Sequence, residues 1–253
     1  MILDAFRLDG KNALVTGSAR GLGAAIALAL AEAGANVVCH GTKGDSAPVC
    51  DDIRKLGRKT GYVAANLARR DACEKLIEKT IGTLGTLDIL VNNAGIIRRA
   101  PAAEHSEDFW NEVIAVNLNA VFWLSQLAGR HMLARGGGKI VNVASLLSFQ
   151  GGITVPSYAA AKGGVAQLTK ALANEWSSKG VNVNAIAPGY METDNTTALR
   201  EDPVRSRQIM ERIPAGRWGK PADLAGAAVY LSSAASDYVH GHLLVVDGGW
   251  LAR

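Results

Sequence analysis

The chain has few of the residues that mark a secreted, metal-bound or membrane-embedded protein. It has three cysteines, Cys39, Cys50 and Cys73, and neither these nor the five histidines show the spacing of metal ligands. An odd number of thiols without paired spacing is expected in a reducing compartment, so we predict a cytoplasmic protein without a metal. There is no signal-peptide pattern and no apolar run of about 18 residues that would span a membrane.

Excess charge of one sign is also scarce. The net charge is +4, and no run of Lys or Arg exceeds two residues. Nucleic acid is therefore not expected as a partner, whereas an anionic small molecule would suit this charge. With 253 residues, of which 48% are hydrophobic and 20% charged, the chain can bury a substantial core as a single domain over residues 1–253.

Short apolar runs alternate with helical patterns, and no linker or repeat divides the chain. This alternation predicts an α/β fold, a Rossmann-type doubly wound parallel sheet of about seven strands with helices on both faces. Strands are predicted at residues 12–16, 36–39, 61–65, 87–92, 139–144, 181–187 and 243–246. Helices are predicted at residues 24–33, 48–56, 72–84, 109–135 and 158–177. The irregular segment 188–221, rich in proline and arginine, is expected to act as a lid over a substrate.

Three side chains form a candidate catalytic group. Ser145 follows a strand-like run, and Tyr158 and Lys162 stand four residues apart, which places them on one face of a helix. A phenol titrates near ~10, and an ammonium within hydrogen-bond range can lower that pKa by roughly 1–3 units. With a serine hydroxyl near the substrate oxygen, these residues could interconvert a ketone and a secondary alcohol if a cofactor carried the hydride.

A glycine-rich turn near the N terminus is a candidate site for that cofactor. Gly17, Gly21 and Gly23 lie between the first predicted strand and the first predicted helix. Such a turn lets the backbone approach a pyrophosphate and aims the helix N terminus at its charge. Because glycine is abundant, at 28 residues, the strand-turn-helix context carries this prediction more than the spacing does.

In order and spacing, the motifs resemble the short-chain dehydrogenase/reductase family over essentially the whole chain. They are Thr16-Gly17-x3-Gly21-x-Gly23, Asn92-Asn93-Ala94-Gly95, Asn117, Ser145, Tyr158-x3-Lys162 and Pro188-Gly189-x3-Thr193. The resemblance implies that Tyr158 is the general acid/base and that Ser145 orients the substrate oxygen. It implies that Lys162 lowers the pKa of Tyr158 and binds the nicotinamide ribose. Asn117 is implied to hold a water in the proton relay from Lys162.

The resemblance also implies NAD or NADP as the cofactor. The residues implied to bind it are Gly17, Arg20, Gly21, Leu22, Gly23, Asn66, Leu67, Asn93, Ala94, Gly95, Tyr158, Lys162, Pro188, Gly189 and Thr193. Asn66 replaces the family's usual Asp, which weakens the expected contact with the adenine amine. No carboxylate follows the second strand until Asp45, and Arg20 and Lys43 are available for a 2′-phosphate, so the choice between NAD and NADP stays open.

Further stretches, at residues 145–152, 212–218 and 246–253, resemble the branch of the family that acts on sugar acids. We therefore predict an oxidoreductase for a small sugar acid of the deoxy-gluconate type. The candidate substrate contacts are Arg98, Arg99, Gln150 and Tyr190, with an arginine receiving the carboxylate. Relatives are commonly tetramers, so a homotetramer is expected. A 3-oxoacyl-acyl-carrier-protein reductase and a non-catalytic nucleotide-binding regulator on the same fold remain alternatives.

Several of these residues also have simpler interpretations. Asn117 could only break the regularity of a helix, Asn93 could only form a turn, and Thr193 could cap the following segment. Arg98 could be a generic loop charge, and Arg217 in the lid could be structural.

Overall fold

The centre of the molecule is a parallel sheet, seen in a computed structural model that describes residues 1–253. Its seven strands are β1 (Asn12–Val15), β2 (Asn36–Gly41), β3 (Thr60–Ala64), β4 (Ile89–Asn92), β5 (Gly138–Val143), β6 (Val181–Pro188) and β7 (Leu243–Val246). All adjacent strands pair in parallel, in the order β3-β2-β1-β4-β5-β6-β7. The predicted fold class is confirmed.

Helices cover both faces of this sheet. They are α1 (Gly21–Glu32), α2 (Pro48–Lys55), α3 (Arg70–Leu84), α4 (Glu107–Ile114), α5 (Ala120–Ala134), α6 (Pro156–Trp176), α7 (Thr197–Glu201), α8 (Pro203–Arg212) and α9 (Ala225–Ser232). Local sequence explains several helix starts: Pro opens α2, α6 and α8, and the side chains of Ser106 and Asp202 cap α4 and α8. None of the helices combines the length and the apolar character that crossing a membrane requires.

The central strands β1 and β4 are mostly apolar and fully buried because helices cover both faces of the sheet there. In β1, Ala13 and Val15 pack into the core on one face, with α1 and α9, whereas Leu14 packs into the core on the other face, with α3 and α5. All three side chains are fully buried. Alternation between two cores, rather than between core and solvent, is what a covered parallel sheet requires.

The strand order reverses between β1 and β4, which are neighbours in the sheet but are separated by two strands in sequence. In a sheet of this kind, a crevice opens beyond the carboxyl ends of the strands at the reversal. The loop that follows β1 carries Gly17, and the loop that follows β4 carries Asn93. The topology therefore places the glycine-rich turn and the Asn-Asn-Ala-Gly motif at the same edge.

The helix predicted for residues 109–135 is interrupted. The chain forms α4, then a π-helical turn at Ala115–Asn119, then α5. Within the turn, the N–H of Ala120 bonds to the carbonyl of Ala115, five residues back. Single π turns inside α-helices are frequent at functional sites, and this one contains Asn117.

Candidate active site

The predicted catalytic side chains meet at the carboxyl end of β5. Ser145 lies just beyond β5 and begins a short 3-10 turn, with its Oγ accepting a hydrogen bond from the N–H of Leu147 at 3.2 Å. Tyr158 and Lys162 lie one turn apart near the start of α6. The Lys162 ammonium donates to the carbonyl oxygen of Val143 at 2.6 Å and lies 5.6 Å from the centre of the Tyr158 ring.

Burial dominates the electrostatics of this group. It lowers the pKa of Lys162 to about 8. It also raises the pKa of Tyr158, while a hydrogen bond with Ser145 and the charge of Arg99 oppose that rise. In the chain by itself, Lys162 lies 5.6 Å from the centre of the Tyr158 ring and donates to the backbone of Val143, so a lowering of the pKa of Tyr158 by this ammonium stays a prediction.

Asn117 links the interrupted helix to the loop that follows β4. Its amide donates to the carbonyl oxygen of Ile96 at 2.8 Å and accepts from the N–H of Ile96 at 2.8 Å. The side chain is fully buried. Asn117 therefore does break helix regularity, as its simpler interpretation held, and it also fixes the backbone just after Gly95.

The glycine-rich loop is packed too tightly for larger residues. Gly17 has φ +63°, and a Cβ there would lie 2.8 Å from the Cα of Ala94, whereas a Cβ on Gly23 would lie 2.2 Å from the carbonyl oxygen of Gly17. The amide of Asn93 donates to the carbonyl oxygens of Thr16 at 2.9 Å and of Gly17 at 3.0 Å. The Asn93 side chain thus holds the glycine-rich loop in place.

This arrangement fits a dinucleotide. The loop leads directly into α1, whose first residue is Gly21 and whose N-terminal N–H groups supply the positive end of the helix dipole. No heavy atom lies within 4 Å of where a Cβ of Gly21 would stand, so space is left at the helix start. The backbone of Gly21, Leu22 and Gly23 is therefore free to approach a pyrophosphate, and their role in binding it stays a prediction.

The adenosine end of the site lacks a carboxylate. A Cβ at Gly41, the last residue of β2, would lie 2.1 Å from the hydroxyl oxygen of Tyr62, and this hydroxyl donates to the carbonyl of Lys43 at 2.7 Å. On the neighbouring loop, the Asn66 amide oxygen accepts from the N–H of Ala68 at 3.1 Å, and the adjacent Leu67 is buried. Tyr62 therefore occupies the space that a side chain at the end of β2 would need.

Arg20 bridges the glycine-rich loop to the predicted lid through an ion pair with Asp194 at 2.7 Å, and both side chains are exposed. The lid begins at Pro188 and Gly189, and a Cβ on Gly189 would lie 2.6 Å from the Cα of Asp247. Thr193 then precedes a 3-10 turn and donates its N–H to Thr196 at 3.2 Å, which agrees with its interpretation as a capping residue.

The two candidate arginines for a substrate carboxylate differ in their partners. Arg98 forms two hydrogen bonds of 2.8 Å with the carboxylate of Glu112 and lies over the ring of Phe109. Arg99 is exposed, donates to the carbonyl oxygen of Asn195 in the lid at 3.1 Å, and lies close enough to Tyr158 to oppose the rise in its pKa. Of the two arginines, Arg99 is therefore the one whose charge acts on Tyr158, whereas Arg98 is paired with Glu112.

An aromatic cluster, which the sequence did not predict, joins Tyr190 and Trp218 of the lid segment to Trp250 at the end of the chain. The ring of Tyr190 lies 5.6 Å from that of Trp218 and 4.7 Å from that of Trp250. The indole of Trp250 donates to the side-chain oxygen of Gln150 at 3.4 Å. No spacing in the sequence pointed to this cluster, because its members lie at positions 190, 218 and 250. Arg217, beside the cluster, pairs with Asp223 at 2.6 and 2.9 Å, which agrees with a structural role.

Comparison with known proteins identifies relatives that span the whole chain. The family model for short-chain dehydrogenases matches residues 11–204. The chain is 54% identical, over 254 aligned residues and all of both chains, to a 2-dehydro-3-deoxy-D-gluconate 5-dehydrogenase of Pseudoalteromonas atlantica.

Solved structures agree with the fold and extend the comparison to bound molecules. A candidate 2-deoxy-D-gluconate 3-dehydrogenase from Agrobacterium tumefaciens, with bound NADP, is 56% identical with a TM-score of 0.91, and the match covers 98% of this chain and 99% of that one. A gluconate 5-dehydrogenase from Burkholderia cenocepacia, in complex with NADP and tartrate, is 43% identical with a TM-score of 0.96 over all of both chains.

Proposed function

Because the chain belongs to the short-chain dehydrogenase family, we propose that it interconverts the alcohol and the ketone at C5 of 2-dehydro-3-deoxy-D-gluconate. It is an oxidoreductase that acts on a small sugar acid with NAD or NADP. The observation that carries the reaction is the placement of Ser145, Tyr158 and Lys162 at the carboxyl end of β5, on the same edge of the sheet as the glycine-rich loop. The substrate and the carbon are supported by the identity of 54% over the full length of that relative.

In the oxidation, Tyr158 takes the proton from the substrate hydroxyl, while a hydride leaves the carbon that bears this hydroxyl. When bound, the nicotinamide supplies the acceptor for that hydride, and in the reverse direction its donor. Ser145 holds the reacting oxygen by a hydrogen bond, which keeps it within reach of the phenol. Ser145 also opposes the rise in the pKa of Tyr158, so the phenolate needed as a base forms more readily.

Lys162 and Asn117 support this proton transfer. The ammonium of Lys162 is held by the carbonyl of Val143, and burial brings its pKa to about 8, which suits a group that passes a proton near neutral pH. The π turn disturbs the regular hydrogen-bond ladder beside Asn117. This supports the proposal that Asn117 helps to hold a water between Lys162 and solvent.

We assign the substrate carboxylate to Arg99. A hydroxylated acid offers little apolar area, so its binding depends on hydrogen bonds and on a charge-assisted contact. Arg99 makes no hydrogen bond to a carboxylate, and it contacts the lid through the carbonyl of Asn195. Gln150 and Tyr190 remain proposed substrate contacts, and both are held by Trp250.

The remaining cofactor contacts follow from the edge of the sheet on which they lie. We propose that Arg20, Asn66 and Leu67 face the adenosine end. The residues proposed to line the nicotinamide end are Asn93, Ala94, Gly95, Tyr158, Lys162, Pro188, Gly189 and Thr193. Because no carboxylate ends β2, a 2′-phosphate can be accommodated, and we expect use of both NAD and NADP.

We further propose a cytoplasmic homotetramer in which residues 188–221 of each subunit form a lid. Free thiols at Cys39, Cys50 and Cys73 support a reducing compartment. Phe109, Trp110 and Phe122 expose large aromatic surface on α4 and α5, which supports burial against other subunits. The ion pair from Arg20 to Asp194 supports a lid that closes over the cofactor.

A substrate panel tests the function. We would measure kcat/KM for 2-dehydro-3-deoxy-D-gluconate, 2-deoxy-D-gluconate and gluconate, and for acetoacetyl thioesters, each with both cofactors. The expected result is the highest value for the first acid, with the product identified by NMR as the 2,5-diketone. Faster turnover of a thioester would reject the sugar acid, and no turnover of any substrate with bound cofactor would favour a nucleotide-binding regulator.

A further inference from the structure

His40, near the end of β2, is buried between two loops at the cofactor edge of the sheet. Its Nδ1 accepts a hydrogen bond from the N–H of Gly17 at 3.0 Å, and its Nε2 lies 3.0 Å from the carbonyl oxygen of Ala65. A backbone N–H can only donate and a carbonyl can only accept. The ring is therefore neutral, with its proton on Nε2, and both of its nitrogens are engaged.

The backbone of His40 is bound to the same glycine-rich loop. Its carbonyl accepts from the N–H of Ser18 at 2.8 Å, and its N–H donates to the Ser18 hydroxyl at 3.0 Å. That hydroxyl in turn donates to the carbonyl of Val15 at 2.7 Å. The backbone of His40 is thus fixed by the strand and the loop together, and its ring cannot turn without breaking the bonds to Gly17 and Ala65.

We propose that His40 is a positioning residue for the cofactor, because its ring joins the loop for the pyrophosphate to the loop for the adenosine. The inference rests on the NAD(P) site of the proposed function. Gly17 begins the glycine-rich loop, and Ala65 immediately precedes Asn66 on the adenosine side. One imidazole therefore bonds directly to both of the backbone segments that the dinucleotide must contact at the same time.

The residue type matters because the two bonds leave the ring on opposite sides. Phenylalanine fills a similar volume but supplies neither bond. Asparagine is shorter and can replace the bond to Gly17 while losing the one to Ala65. A shift of Gly17 would be felt at once, because this residue already packs against Ala94 with no room for a Cβ. Loss of the ring is therefore expected to alter the loop that holds the cofactor.

The test compares His40→Phe and His40→Asn with His131→Phe as a matched control. His131 also bonds through Nε2, to the Thr86 hydroxyl at 2.9 Å and the Leu87 N–H at 3.4 Å, but at the amino edge of the sheet. The dissociation constants of NADH and NADPH would be measured without substrate by titration calorimetry. Melting temperature and kcat at saturating cofactor would be measured on the same preparations.

We expect His40→Phe to raise the dissociation constants roughly 10- to 100-fold, and His40→Asn roughly 3- to 10-fold. Because the ring does not touch the reacting atoms, kcat at saturating cofactor should stay within about threefold of wild type. His131→Phe should lower the melting temperature but leave both constants near wild type, which separates positioning from general stability.

An unchanged dissociation constant in His40→Phe would overturn the inference, as would an equal rise in His131→Phe. If His40→Phe does not fold, His40→Asn decides, because wild-type affinity in that variant also contradicts the role. If the wild-type protein binds neither cofactor, both the proposed function and this inference are rejected. If the wild-type protein binds the cofactors and the His40 variants bind them equally well, only the inference is rejected.

Discussion

Arg99 can be tested against its neighbour Arg98, because the two adjacent guanidinium groups are held in different ways. Arg98 gives both of its 2.8 Å bonds to Glu112, whereas Arg99 contacts only a lid carbonyl and lies near Tyr158. We expect Arg99→Gln to weaken binding of the sugar acid and Arg98→Gln to leave it almost unchanged. The two substitutions are chemically identical, so each serves as the control for the other.

The magnitude follows from the contact that would be lost. A hydrogen bond to a charged group contributes about 1.5–3 kcal/mol, and the exposure of Arg99 places it toward the lower end. The expected loss in kcat/KM is therefore roughly 10- to 30-fold, mostly as a higher KM, because a remote carboxylate is bound equally in ground and transition states. Losing the exposed pair of Arg98 with Glu112 should cost only about 0.2–1 kcal/mol of stability.

A second measurement separates substrate binding from an effect on Tyr158. The charge of Arg99 opposes the rise in the pKa of Tyr158, so Arg99→Gln should move the rising limb of the oxidation pH profile to higher pH. An uncharged amide of the sugar acid lacks the charge-assisted contact with Arg99. With this amide as substrate, Arg99→Gln should therefore cause the same pH shift without the roughly 10- to 30-fold loss in kcat/KM. Steady-state kinetics between pH 6 and 10 would measure both. Arg99→Gln with wild-type kcat/KM, or a larger loss in Arg98→Gln, would refute the assignment.

Three further substitutions test the catalytic group and the ribose pocket. Tyr158→Phe should lower kcat roughly 10²–10⁴-fold with unchanged cofactor affinity by calorimetry, and near-normal turnover in the folded variant would exclude Tyr158 as the acid/base. Gly41→Asp alone should lower the melting temperature, because its Cβ would meet the Tyr62 hydroxyl. The double variant Gly41→Asp with Tyr62→Phe should fold, and its carboxylate should shift the NAD/NADP ratio of kcat/KM toward NAD by about 1–3 kcal/mol. An unchanged ratio in the double variant would show that the end of β2 does not make this choice. Burial lowers the pKa of Lys162 to about 8, so the wild-type fold carries a penalty of about 3 kcal/mol below pH 8 that disappears as pH rises toward 10.5. The wild type therefore gains stability as pH rises, whereas the inactive variant Lys162→Met has no such penalty to lose. The melting temperature of Lys162→Met, relative to that of wild type, should fall by up to about 6 °C between pH 8 and 10.5. A constant difference would contradict the burial penalty.

Much of the fold could be predicted because its signals are local. The predicted strands at β1 and β4 are short, mostly apolar runs that are buried along their whole length, as in a sheet covered on both faces. The interruption at Asn117 was less accessible, because a single π turn changes the helical register over only a few residues. An asparagine inside an apolar helix was the one signal available.

The candidate site was predictable in part. The spacing of Tyr158 and Lys162 places them on one helix face whatever surrounds them. Their pKa values depended instead on burial and on Val143, a partner from another strand. The choice between Arg98 and Arg99 was equally inaccessible, because adjacent loop residues point in directions that only their partners determine.

By itself, the sequence determined the alternation of strands and helices, the glycine-rich turn and the catalytic spacing, since each depends on the period of a helix or strand or on backbone freedom at a glycine. Only the tertiary structure decided that Tyr62 fills the space beside Gly41, that His40 joins two cofactor loops and that Trp250 holds Gln150. These contacts join residues far apart in the chain. They arise because a parallel sheet gathers the ends of all its strands at one edge, and no local pattern records which side chains will meet there.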